Sequence, residues 1–188
     1  MTETPSSASP ASPAAKGFTL IEMLITVAVL AIILTSVVPS MRAFVARRHL
    51  DGASAQLQAD LHFLRSSSVA LNQALRISVH SGSAGSCYLV HSGDADQCAC
   101  TFVAGAEPVG NCEPGAELLR SQAWAGNAVA VRANVASMRV DPRHGTFSPT
   151  GSIEIQAGDG PVLRHVVNIL GRLRLCAPGT AITGVAAC

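Results

Sequence analysis

The chain has 188 residues, with 13 Lys and Arg set against 12 Asp and Glu, and six cysteines. A formal net charge of +1 excludes a global field that would draw the molecule onto nucleic acid, so any such contact has to come from a local patch. The length suits one membrane-crossing segment followed by one domain of about 140 residues, which excludes a string of domains.

Met1 to Lys16 is rich in Ser, Pro and Ala, has no apolar core, and reads as a leader without packed structure. Phe18 to Val38 then runs for 21 residues with Glu22 as its single charge. As a helix it is about 31 Å long, enough to cross a bilayer core of about 30 Å. A carboxylate in such a run costs at least about 2.5 kcal/mol near the helix centre, so Glu22 needs a partner. Lys16 is the nearest cation, unless a cut after Gly17 frees an α-amine on Phe18. An ordinary secretory signal has a shorter apolar core, an A-x-A end and no acid inside it. A plain anchor leaves Glu22 unexplained. Pro39 is expected to end or kink the helix, because it removes a donor and clashes one turn back.

Beyond Pro39 the helix is expected to resume through residue 75. Leu50, Leu57, Leu61, Leu64, Leu71 and Leu75 form a stripe at helical spacing that docks it on a sheet, with Arg47, Arg48, Asp60 and Arg65 mostly off it. Residues 76–188 turn to short strand candidates: Leu75–His80, Tyr88–His91, Ala128–Ala133, Ser152–Gln156, Leu163–Ile169 and Arg172–Cys176. Residues 93–116 read as a disulfide-tied loop, too irregular for a strand. The fold class is therefore α+β, a spine helix with antiparallel strands over its second half.

All six cysteines lie beyond the apolar run, at 87, 98, 100, 112, 176 and 188. An even number in a small exported domain predicts disulfides and an oxidising space such as the periplasm. That outweighs Arg42, Arg47 and Arg48, which by the positive-inside rule alone would put the C-terminal part in the cytoplasm. Of the fifteen pairings open to six cysteines, Cys176–Cys188 is favoured, with Cys87, Cys98, Cys100 and Cys112 paired among themselves. The spacing of Cys98-Ala-Cys100, with His91 near, is not that of a zinc knuckle. Asp94-x-Asp96 supplies too few ligands for calcium. No histidine has a Ser, Cys or acid at a catalytic spacing, so neither an enzyme nor a cofactor is expected.

The run K-G-F-T-L-I-E-M-L, with Pro39 after it, resembles the class III signal of type IV pilins and pseudopilins. F-S-P-T-G (147–151), V-L-R-H-V-V-N (162–168) and G-R-L-R-L-C (171–176) resemble the GspH/FimT group within that superfamily. The resemblance implies a pilin-like fold. It also implies that prepilin peptidase cleaves between Gly17 and Phe18, that the new terminus is methylated, and that the inner membrane holds the anchor with the C-terminal domain periplasmic. Glu22 would then meet the Phe18 amine of a neighbouring pilin in a filament or tip complex. The implied function is a minor pilin of type IV pilus machinery, the alternative a pseudopilin of type II protein secretion. An anchored periplasmic enzyme or metal-binding domain is a third, more distant reading. In the FimT branch, some members from transformable bacteria bind DNA through a Gly-Arg-x-Arg segment near the C-terminus. Here Arg172 and Arg174 match it, and Arg164 on the adjoining strand extends the patch if the register allows.

Overall fold

The computed structural model describes residues 17–103, 105–126, 128–179 and 182–188, so the expected leader, with Lys16, lies outside the described residues. Helix α1 runs Leu20–Leu71, and the chain divides into two units, Met1–Met41 and Arg42–Cys188. In the first unit α1 is long and apolar enough to cross a membrane, and its described side chains are all exposed. The break expected at Pro39 is not an end: the helix is continuous across that position. An interior proline costs one ladder bond, and intact turns on both sides hold the helix together.

The helix stops where its backbone is capped. Asn72 takes the left-handed conformation (φ 50°), its N–H donates to Val69 O at 3.2 Å, and Gln73 N donates to Ser68 O at 3.1 Å. These two bonds are the pattern of a Schellman cap, which satisfies carbonyls that the helix leaves orphaned. The stripe therefore loses its last two members. Leu71 is exposed, and Leu75 is buried as the first residue of a strand rather than the last of a helix.

Eleven strands follow: β1 Leu75–Gly82, β2 Gly85–Ser92, β3 Cys98–Thr101, β4 Val109–Cys112, β5 Leu118–Ala125, β6 Ala130–Ala133, β7 Ser137–Val140, β8 Phe147–Ser148, β9 Gly151–Gln156, β10 Val162–Val167 and β11 Leu173–Cys176. One sheet has the order β5-β2-β1-β7-β8, a second β11-β10-β9-β6, and every pairing between named strands is antiparallel. Both sheets turn one face to a single core. Leu50, Leu57, Leu61 and Leu64 of α1 meet Leu75, Ile77, Tyr88, Val90, Met138 and Phe147 from the first sheet and Val131, Ile153, Ile155, Leu163 and Val167 from the second. Each such side chain contributes about 1.5–3 kcal/mol on full burial, so this interface is the main stabilising term.

The irregular loop expected over residues 93–116 contains the third sheet, hairpin β3–β4. It lies on β2, all of whose residues are buried. A Cβ at Gly110 would meet Leu89 Cδ2 at 2.5 Å, so a side chain there would force Leu89 or the hairpin to shift. Three disulfides fix the outlying parts. Cys98–Cys112 is a rung between β3 and β4, Cys87–Cys100 rivets the hairpin to β2, and Cys176–Cys188 ties the chain end to β11.

Candidate functional site

At the N-terminal end, Gly17 to Thr19 precede the helix in non-helical conformation, and Gly17 has open space around it. Phe18 is 80% exposed. Thr19 Oγ1 accepts from Glu22 N at 3.3 Å, the backbone half of a T-x-x-E capping arrangement that fixes where the helix starts. Glu22 thus sits in the first turn, where the helix dipole favours negative charge. Its side chain is exposed and presented to whatever surrounds the helix. The Gly17–Phe18 bond is therefore outside regular structure.

The arginine residues sit on the second sheet. On β10 the pattern alternates, Leu163, His165 and Val167 inward and Val162, Arg164 and Val166 half-buried on the other face. Arg174 lies opposite Val166, and Cys176 opposite Arg164, which puts Arg164 and Arg174 on one face. Arg172 is not in the strand. It closes the β10–β11 turn, where its N–H donates to Asn168 Oδ1 at 2.8 Å. Arg172 and Arg174 are exposed, and among the described residues neither guanidinium has a hydrogen bond or ion pair.

Arg164 is different. Glu154, opposite it on β9, takes its Nε at 2.8 Å and its Nη2 at 2.5 Å through one carboxylate oxygen. The register does set β10 beside β11, so Arg164 adjoins Arg174, but the charge of Arg164 is largely cancelled. Arg132 of β6 stands across Glu154 on the other side and is exposed. Sequence reading passed over both Arg132 and Glu154, because cross-strand neighbours depend on a register that local pattern does not give.

Buried polar groups make up the rest of the chemistry. Asp60, wholly buried on α1, accepts from Tyr88 Oη at 2.6 Å, Arg120 Nη1 at 2.6 Å and Gln56 Nε2 at 3.1 Å. Two Ser–His pairs also form, Ser54 Oγ with His165 Nε2 at 2.8 Å and Ser78 Oγ with His91 Nε2 at 2.9 Å. All four residues are buried, so a substrate has no access to either serine. Burial pushes the His165 pKa down to about 4. Desolvation lowers that of His91 as well, against an opposing bond to Ser92 O. The sulfurs of Cys98 and Cys100 are held in disulfides. Asp94 lies 3.8 Å from Arg76. Among the described residues, no three His, Cys, Asp or Glu side chains come together as metal ligands.

The sequence profile of the family described as Type II transport protein GspH matches residues 53–171, more than half of the chain. The chain belongs to the GspH family. A second profile, the prokaryotic N-terminal methylation motif, matches residues 13–38 and so covers the Gly17–Phe18 bond and Glu22. Among solved structures, the type IV minor pilin FimU of Pseudomonas aeruginosa superposes with a TM-score of 0.51 at 18% identity, over 74% of this chain and 99% of that one. A second crystal form of FimU gives a TM-score of 0.48 at 18% identity, over 71% and 100%. No curated protein matches. The fold is that of a type IV pilin, a long N-terminal helix packed on antiparallel sheet. Pilins of this family are structural proteins. The family implies assembly with other pilins, and the methylation motif implies processing by prepilin peptidase at a membrane-anchored apolar helix.

Proposed function

We propose that the protein is a minor pilin of type IV pilus machinery, cut between Gly17 and Phe18, methylated on Phe18, and lifted from the inner membrane into a filament or tip complex. One observation carries this. The described side chains of the apolar run Leu20–Val38 are exposed, and the run holds one acid, Glu22. Packing against neighbouring apolar helices removes the exposed surface, and a neighbour's Phe18 amine answers the acid in a dry interior, where attraction between opposite charges is strong. Mass spectrometry of the membrane-extracted chain tests it: a mature terminus other than Phe18 sinks the reading.

Arg172 and Arg174 support a second activity, binding of DNA during uptake. Arg172, closing the β10–β11 turn, and Arg174, on β11, are both exposed, and each guanidinium donates in a planar fork suited to phosphate oxygens. Such binding is independent of sequence and weakens with salt. The competing assignment keeps the same pilin chemistry in type II protein secretion, with the tip touching secreted proteins. Deleting the gene and scoring piliation, transformation and secretion side by side separates the two.

A further inference from the structure

The turn between β10 and β11 carries a feature that assembly and phosphate contact leave unused. Hairpin tips are normally polar or glycine-rich, yet here Asn168 and Gly171 bracket Ile169 and Leu170, each 58% exposed. Beyond Val45 these are the only consecutive large apolar side chains, among the described residues, that are both exposed.

The tip is also rigid. Gly171 N donates to Asn168 O at 2.9 Å, Asn168 N to Arg172 O at 3.2 Å and Phe147 N to Ile169 O at 2.9 Å, while Asn168 Oδ1 holds Arg172 N. Gly171 has φ 71°, and a Cβ there would meet Phe147 Cε2 at 3.0 Å and Arg65 Cδ at 3.1 Å. The base of the turn is thus packed against a buried ring, and its two aliphatic side chains are held outward beside two unpaired arginines.

We propose that Ile169 and Leu170 form a wedge that enters duplex DNA between base steps while Arg172 and Arg174 hold the adjoining phosphates. The inference rests on the DNA-binding reading above and adds the part of the ligand that the tip would touch. Charge selects the occupant, since the apolar pair is flanked by cations and a polyanion with an apolar interior meets both demands. Apolar wedges of Leu or Ile beside basic side chains are a general way to unstack a base step and bend a duplex. The tip is already ordered, so little entropy is lost on insertion.

The test uses the full chain in detergent and a short duplex carrying 2-aminopurine, whose fluorescence rises on unstacking. Wild type, Ile169→Ser with Leu170→Ser, and Arg172→Gln with Arg174→Gln are compared between about 50 and 200 mM salt. The serine pair is expected to lose roughly tenfold in affinity at every salt concentration, to keep the wild-type salt slope, and to lose the fluorescence rise. The glutamine pair should flatten the slope by about 1.8, from two phosphate contacts. Leu170→Met, which stays apolar, should keep the signal and so exclude misfolding as the cause. Wild-type affinity and fluorescence in the serine pair would overturn the wedge while leaving the arginine contact standing. No duplex binding by wild type would remove the DNA reading and the wedge with it. Unchanged DNA binding, with loss instead of self-association or of binding to anionic phosphatidylglycerol vesicles, would reassign the tip to a protein or lipid contact and overturn the proposal.

Discussion

Tyr88 on β2 donates its phenol to Asp60 Oδ2 on α1 at 2.6 Å, across 28 residues of sequence. Arg120 on β5 takes the other oxygen, and its guanidinium lies 3.7 Å from the centroid of the Phe63 ring. One carboxylate therefore bolts the helix to two adjacent strands. Burial, together with the bond to Asp60, pushes the Tyr88 phenol far up, so it remains a donor throughout the accessible pH range. Tyr88→Phe should cost about 1–2 kcal/mol through one lost bond. Asp60→Ala should cost more, about 3 kcal/mol, because it strands a phenol and a partly buried cation together. Urea unfolding of residues 42–188, which hold their own core and disulfides, checks the order. Equal losses would show that the carboxylate is not the hub.

Stability should fall in mild acid. His165 has a folded pKa of about 4 against 6.5 for the free side chain, with desolvation as the cause. The unfolded chain therefore takes up the proton first. Stability is full above about pH 6.5, declines as pH falls toward 4, and levels off below, for a loss of about 3 kcal/mol. His91 and His80 are shifted in the same direction by burial and add to the slope. Replacing His165 by Gln, which can still bond Ser54, should flatten the profile. An unchanged slope in that variant would place the acid sensitivity elsewhere.

Glu154 should restrain the arginine face. Since Arg164 already gives two donors to that carboxylate, removing both charges together, Arg164→Gln with Glu154→Gln, should leave duplex binding nearly unaltered. Glu154→Gln should strengthen binding a few-fold and steepen its salt dependence by about one phosphate contact. Titration with duplex at two salt concentrations reads both. A large loss from the double variant would mean that the pair opens when DNA arrives.

Removing the Cys176–Cys188 bridge, which joins residues 12 apart, should cost about 3 kcal/mol by releasing the unfolded chain. The terminal segment is otherwise held by bonds such as Ala177 N to Ala186 O and Cys188 N to Ala177 O. In a Cys176→Ser, Cys188→Ser variant, limited proteolysis should trim the tail before it attacks β10. Cleavage at an unchanged rate would show that those bonds suffice.

Glu22→Gln keeps the shape and removes the charge. The proposed role predicts normal processing at Gly17–Phe18 with reduced incorporation into filaments, read by shearing and immunoblotting. Full incorporation would leave the charge pairing without support.

The parts of the fold that local pattern encodes were legible in the sequence. Leu50, Leu57, Leu61 and Leu64 repeat at helical spacing and are buried as a row. The alternation in β9 and β10 marks strands whose inward residues are Ile153, Ile155, Leu163 and Val167. Hairpin β3–β4 escaped because Cys-Ala-Cys-Thr facing Val-Gly-Asn-Cys has almost no β-branched or alternating signal, and its cross-links do what a core would do elsewhere. Strands β5 and β7 escaped for a similar reason, since Leu118–Ala125 is mostly half-exposed and Ser137–Val140 is very short. Asp60 stood off the leucine stripe in the sequence, and its partners Tyr88 and Arg120 are 28 and 60 residues away. No local window reaches that far. The pair Arg172 and Arg174 was singled out by the resemblance to the Gly-Arg-x-Arg segment, and nothing local signalled the neutralisation of Arg164.

All six thiols are consumed in cross-links, and this bears on when the globular part can mature. Without them the chain forfeits on the order of 9 kcal/mol from three closures of about 3 kcal/mol each, comparable with the entire stability of an ordinary domain. On the proposed periplasmic reading, the newly made polypeptide stays loose while it is in a reducing cytosol. Oxidation after passage would then act as a one-way latch, with crossing first and hardening second.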